Sequence, residues 1–204
     1  KKGSFMSDIF AKAKTPAAVA KALRDNDVKF VDFWLTDPRG KSQHITQDIV
    51  TVDEDMLTDG LYMDGSSIAG WKEIHQSDML LKPDINKITM DPFTAQSTAI
   101  IFCDVLEPDN KKPYNRDPRG MAKKAEAMVK SMGVGDTVFF GPEAEFFVFD
   151  DVKYDVKGNK GYYELDNEEG PYNSARAYEE GNLGHRPGVK GGYFPLPPVD
   201  SGQD

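Results

Sequence analysis

Two glutamates spaced two residues apart, Glu143 and Glu145, sit inside the run Thr137–Asp150, TVFFGPEAEFFVFD. Aromatic and β-branched residues dominate this run, with Gly141-Pro142 in its middle, a composition that predicts a strand. Side chains alternate faces along a strand, so Glu143 and Glu145 would share a face with Phe147 and Phe149, while Ala144, Phe146 and Val148 point the other way. A strand apolar on both faces belongs inside a domain. Two carboxylates roughly 7 Å apart along it are costly as neighbouring anions unless one takes a proton or cations lie beside them. A pair of divalent ions meets that need, because hard carboxylate oxygens suit Mg²⁺ or Mn²⁺. The competing reading is an edge strand that carries charge against aggregation.

A second stretch, Gly184–Pro195 (GHRPGVKGGYFP), sets His185, Arg186, Lys190, Tyr193 and Phe194 among four glycines and two prolines. Glycines let a backbone approach a ligand closely, and Arg and Lys bind carboxylate or phosphate. The glycine spacing fits neither a Walker loop nor a dinucleotide fingerprint, and a flexible surface loop is the alternative. Asp64-Gly65-Ser66-Ser67 on its own is compatible with a plain turn. His44, His75 and His185 are far apart and show no metal-ligand spacing.

The elements that must position these residues follow from the chain in order. Thr15-Pro16 is an N-cap and first-turn pair for a helix to about Arg24, with Val19 and Leu23 on one face. Val28–Thr36 predicts a strand, Asp37-Pro38-Arg39-Gly40 a turn, and Ser42–Ile49 its hairpin partner. Asp53–Gly60 suits one or two helical turns closed by Gly60. The segment Tyr62–Asp78 resists assignment: it combines glycines and serines with Ile68 and Trp71, and a loop with apolar side chains packs against its own domain or a partner. Met79–Lys82, Lys87–Met90 and Thr98–Leu106 predict three further strands, which gives a mostly antiparallel sheet with one or two helices, an α+β arrangement. Glu107–Arg116 is polar, contains two prolines and reads as a linker. Asp117-Pro118 opens a helix to about Met132, stopped by Gly133, with Ala122, Ala125, Met128 and Val129 as its expected buried stripe. Tyr154–Leu165 suits a hairpin around Lys157-Gly158-Asn159.

Composition narrows the function classes. The chain has 204 residues, 39% hydrophobic and 29% charged, which suits a soluble globular protein of one large or two small domains. A net charge of −9 argues against nucleic acid as the main partner. The one cysteine, Cys103, lies in an apolar run and predicts a buried strand residue, with no disulfide framework and a reducing, cytoplasmic setting. No apolar segment approaches the ~18 residues needed to span a bilayer, so no membrane role is expected. Lys1–Phe5 precede Met6, the expected native start.

Taken together, Met63–Trp71 (MDGSSIAGW), Gly141–Asp150 (GPEAEFFVFD) and Gly184–Pro198 (GHRPGVKGGYFPLPP) closely resemble bacterial type I glutamine synthetase, in that family's order and at its spacing. Ala144 stands where proline is common and Ala69 where glycine is common; neither change removes a functional group. The family's chain is more than twice as long, so the resemblance implies an N-terminal portion, inactive by itself. It implies a β-grasp-like N-terminal domain over residues 15–110, then the opening part of the catalytic α/β domain over 116–204. It implies ATP and two or more Mg²⁺ or Mn²⁺ ions as cofactors, glutamate and ammonium as substrates, and a homo-oligomer, a dodecamer of two hexameric rings at full length. Glu145 would ligate the metal near glutamate and Glu143 the metal bridging the ATP phosphates. Asp64 would attract ammonium and take its proton, Ser67 and Tyr193 would line the same pocket, and Arg186 and Lys190 would be cofactor-binding residues. The Asp64 loop would complete a neighbouring subunit's site, which would account for Ile68 and Trp71 in a loop. A γ-glutamyl–amine ligase or a non-catalytic relative are the alternatives.

Overall fold

Thr15 starts the first helix by the mechanism its sequence implies. Its side-chain oxygen accepts from Ala18 N at 3.2 Å, and Pro16 fills the first helical position, where a missing N–H costs nothing. This helix, α1 (Pro16–Asp25), buries Val19, Ala20 and Leu23. The computed structural model describes residues 9–73 and 77–166, and the chain divides into two units, Lys1–Phe139 and Phe140–Asp204.

The first unit is built on a five-stranded sheet. Its strands are β1 (Phe30–Thr36), β2 (Ser42–Asp48), β3 (Leu61–Asp64), β4 (Asp78–Met90) and β5 (Thr98–Leu106), in the order β2-β1-β5-β4-β3. The β1–β5 pair is parallel and the other three are antiparallel. Alternation along β1 turns Val31, Phe33 and Leu35 to one face, which closes on α1 and the short helix α2 (Glu54–Asp59). Phe33, Leu23, Leu57, Met79, Leu81 and Ile101 are almost wholly buried there. Cys103 lies in the same core, and burial pushes its thiol pKa well up, so it is an inert apolar residue. Gly60 ends α2 at φ +94°, and a Cβ there would run into the Leu81 carbonyl oxygen of the neighbouring strand.

Two expected strands, Met79–Lys82 and Lys87–Met90, are one strand, β4. Its register against β5 shifts between Pro83 and Ile88, so the proline falls at a bulge instead of ending the strand. The expected linker also carries core. Tyr114 is buried, and Pro113 forms a bridge to Leu106.

Helix α3 (Pro118–Ser131) starts at Asp117, whose carboxylate accepts from Arg119 N at 3.0 Å and from Val105 N of β5 at 3.1 Å. Arg119 then bridges Asp104 of β5, at 2.8 Å, and Asp84 of the β4 bulge. Beyond this first turn the expected buried stripe is not buried: Ala122, Ala125 and Met128 are exposed and Val129 is half-buried. The helix forms from its cap and its local propensities, while the apolar face has no cover among the described residues.

The strand expected at Thr137–Asp150 is absent. Residues 137–149 carry no regular secondary structure, and Phe146 is 80% exposed. A strand is defined by its ladder partner, and among the described residues the strands that follow, β6 (Asp151–Lys157) and β7 (Lys160–Asp166), pair with each other around Gly158-Asn159. Two-residue alternation persists locally, because the Phe147 and Phe149 rings stack with centroids 6.1 Å apart.

Candidate active site

Among the described residues, the chemistry-bearing stretch held by the most hydrogen bonds is the one that follows β3. Asp64 ends that strand directly opposite Asp78 of β4. The chain then enters a single 3₁₀ turn, Gly65–Ser67. Gly65 passes so close to β4 that its N–H donates to Ser77 O at 2.6 Å, and a Cβ would stand 2.6 Å from Met79 Cγ. A side chain at this position would push the turn off the sheet edge.

Asp64 caps the turn it begins. Its Oδ1 accepts from Ser66 N at 2.8 Å and from Ser66 Oγ at 2.6 Å, and Ser67 Oγ reaches Oδ2 at 3.4 Å. The carboxylate is exposed yet oriented. The Ser66 hydroxyl, then the Ser66 amide, hold its pKa below the usual carboxylate value, with smaller contributions from Ser67 and Ser77. Asp64 is therefore an anion throughout the neutral range. Placing Asp78 opposite it is unfavourable for two like charges, and it concentrates negative potential at one sheet edge. Ser66, Ser77 and Asp78 were not singled out from sequence; the Asp-Gly-Ser-Ser run holds the signal for Ser66, whereas Ser77 and Asp78 arrive through strand pairing.

The apolar residues of the same loop face inward. Ile68 and Trp71 are 8% and 4% exposed and belong to the core of their own unit. The expectation that they mark a contact with a neighbouring subunit is corrected: the loop carries them because they anchor it to its own domain.

Glu143 and Glu145 lie on the irregular segment, and both are exposed. Their oxygens are the hard donors that Mg²⁺ or Mn²⁺ take, and two carboxylates supply part of the near-octahedral shell such ions require. Among the described residues no group of three or more His, Cys, Asp or Glu is positioned to hold a metal. Arg186, Lys190 and Tyr193 lie outside the described residues, as do His75 and His185. His44 Nδ1 stands 3.0 Å from the buried carboxylate of Asp32, a pairing within the sheet. No helix among the described residues is long and apolar enough to cross a membrane.

Comparisons with known proteins bear on the family and the fold. The family model described as "Glutamine synthetase, beta-Grasp domain" matches residues 27–108, and "Glutamine synthetase, catalytic domain" matches residues 115–204. A glutamine synthetase of Rhizobium meliloti (strain 1021) is 62% identical over 190 residues, covering 93% of this chain and 40% of its own length. One of Azospirillum brasilense is 58% identical over 199 residues, covering 98% of this chain and 41% of its own length. A protein of Cupriavidus pinatubonensis (strain JMP 134 / LMG 1197) named 3-hydroxylaminophenol mutase is 52% identical, covering 94% of this chain and 41% of its own length. The fold is also that of a Plasmodium falciparum glutamine synthetase solved by electron cryomicroscopy, with a TM-score of 0.66 at 22% identity, covering 93% of this chain and 37% of that one. The mixed sheet is thus a β-grasp domain, followed by the start of a ligase catalytic domain. The chain belongs to the glutamine synthetase family. It spans about 40% of the length of the curated relatives it matches.

Proposed function

We propose that this chain supplies the ammonium-binding carboxylate and two metal carboxylates to an ATP-dependent ligation of ammonia to glutamate. The observation that carries the reading is the Asp64 carboxylate, exposed, oriented by Ser66 and Ser67, and held ionised beside Asp78. A free carboxylate is a poor acyl donor, so ATP first phosphorylates the γ-carboxylate of glutamate, and ammonia then displaces phosphate. Ammonium has no lone pair and must lose a proton before it attacks. Asp64 binds the cation as a fixed anion. Its low pKa makes it a weak base in the resting state, so its first contribution is to concentrate and orient ammonium; proton transfer follows as attack begins. By resemblance Ser67 and Tyr193 would serve the same step, and Arg186 and Lys190 would bind the ATP cofactor.

Glu145 and Glu143 would hold Mg²⁺ or Mn²⁺, the former near glutamate and the latter near the ATP phosphates. Bound there, such ions neutralise phosphate charge. The domains are proposed to run over residues 15–110 and 116–204, in a cytoplasmic homo-oligomer that reaches a dodecamer of two hexameric rings at full length. Because the matched relatives are much longer, the 204-residue chain by itself is proposed to be inactive. A relative of comparable similarity carries a different name, so Asp64, not likeness, carries the reading. Its test is Asp64→Asn in a full-length synthetase containing this sequence. Ammonium-dependent turnover falls by ~10², whereas hydroxylamine, nucleophilic when neutral, loses much less. Equal losses with the two amines would contradict the assignment.

A further inference from the structure

The segment that separates β5 from α3 does more than connect them. Residues 107–116 fold back onto the distal end of the Asp64 loop. Tyr114 is 4% exposed, and its Oη donates to the Trp71 carbonyl at 2.8 Å. Arg116 Nη1 donates to the Gly70 carbonyl at 2.6 Å and approaches the Trp71 carbonyl at 3.4 Å. The Tyr114 and Trp71 rings meet edge to face, with centroids 5.6 Å apart. Lys72 closes the contact, 2.8 Å from Glu107 and with its ammonium 5.1 Å from the centre of the Tyr114 ring. Three backbone carbonyl contacts, one ring contact, one cation–π contact and one ion pair therefore join two segments more than thirty residues apart in sequence.

These contacts reach Asp64 through backbone hydrogen bonds. Ile68 N donates to Gly65 O at 3.2 Å, and Trp71 N donates to Ile68 O at 3.2 Å, so two consecutive turns link Gly65 to Trp71. At the other end Gly65 N is fixed to Ser77 O. The loop is thus pinned at its start by β4 and at its far end by Tyr114 and Arg116. Its middle has two anchors, Ile68 and Trp71, buried in the core. Loosening the far end shifts the 3₁₀ turn whose Ser66 amide and hydroxyl orient the Asp64 carboxylate. Oriented groups lose function steeply with small displacements.

We infer that Tyr114 and Arg116 are positioning residues for the ammonium carboxylate Asp64: they clamp the Gly70 and Trp71 carbonyls and thereby set the turn that aims it. This rests on the proposed role of Asp64. It assigns a second task to a stretch that sequence composition marks only as a linker.

The test uses a full-length synthetase containing this sequence and the conservative variants Tyr114→Phe and Arg116→Gln, separately and together. Tyr114→Phe keeps the buried ring and removes one hydroxyl, so the fold survives. Two readouts are taken. Hydrogen exchange reports the Ser66 and Ile68 amides, and steady-state kinetics report KM for ammonium, glutamate and ATP. The double variant is expected to exchange at those amides ~10-fold faster and to raise KM for ammonium ~10-fold. KM for glutamate and ATP stays within about twofold, and Arg116→Lys restores part of the ammonium KM. Unchanged exchange would overturn the clamp. Faster exchange with an unchanged ammonium KM, or an equal rise in all three KM values, would overturn the positioning role. Asp64→Asn is measured in parallel: if it leaves the ammonium KM unmoved, the reading of Asp64 falls, and a loss traced to that variant is distinguishable from failure of the clamp.

Discussion

The two acidic motifs of this chain sit in opposite physical situations. Asp64 is fixed by short-range hydrogen bonds on a sheet edge whose other face is closed by buried Phe33, Leu81 and Met79. Glu143 and Glu145 lie on a segment without a ladder, among phenylalanines that face solvent. Local chemistry is enough to organise the first. The second has no strand partner among the described residues. Among the described residues, then, the Asp64 loop is preorganised by its own hydrogen bonds, while Glu143 and Glu145, the proposed metal carboxylates, lie on an irregular segment.

That contrast predicts unequal responses to the same truncation. Phe33→Ala removes a ring that is 0% exposed and should destabilise the first unit by about 3–5 kcal/mol, read by denaturant unfolding of the 204-residue chain. Phe147→Ala, at a ring 70% exposed, should stay within about 0.5 kcal/mol. A large cost at Phe147 would mean that segment 137–149 is packed, and the contrast would fail. A smaller effect in energy comes from chemistry. Glu145→Gln or Glu143→Gln keeps size and removes charge, and each should lower the activity of a full-length synthetase by ~10² or more at saturating metal. A near-normal rate in either variant would remove that glutamate from the metal site.

How much was legible beforehand follows the same division. Thr15-Pro16 and Asp117-Pro118 announced their helices because a cap acts within three residues of itself. The β1–β2 hairpin was readable from its turn and its alternation. The bulge in β4 was not, because Pro83 stops a strand or bends it depending on what lies alongside. Thr137–Asp150 has strand composition without a strand, since propensity expresses fit to neighbours more than a backbone preference. The buried stripe expected on α3 failed for the same reason: periodicity marks which face could be covered, not whether it is. In the site, Asp64 and Ser67 could be picked out by resemblance, but Asp78 faces Asp64 only through the β3–β4 register. The inward packing of Trp71 likewise involves Tyr114, forty-three residues away in sequence.

The smallest predicted effect isolates the loop itself. The Asp64 carboxyl should titrate below the ordinary carboxylate value, followed by carbon-detected NMR of the 204-residue chain. Its folded pKa lies under its unfolded one. The associated stability is therefore present above the unfolded value, about 3.9, and is lost as pH falls through the folded pKa. Ser66→Ala removes the largest cause and should move the midpoint upward. An unmoved midpoint would mean that Ser66 does not hold the carboxylate.

The proposed function puts Asp64 and the glutamate pair in one reaction, and the family resemblance implies that Asp64 of one subunit would serve the carboxylates of another. The direct measurement mixes two inactive full-length variants, Asp64→Ala and Glu145→Gln, dissociates them, and reassembles them together. Ammonium-dependent turnover is then compared with that of each variant reassembled with itself. Mixed assemblies are expected to regain activity while neither parent does, because an intact Asp64 would meet an intact glutamate pair in some of the sites. Confirmed mixed assembly with no recovery would contradict a shared site.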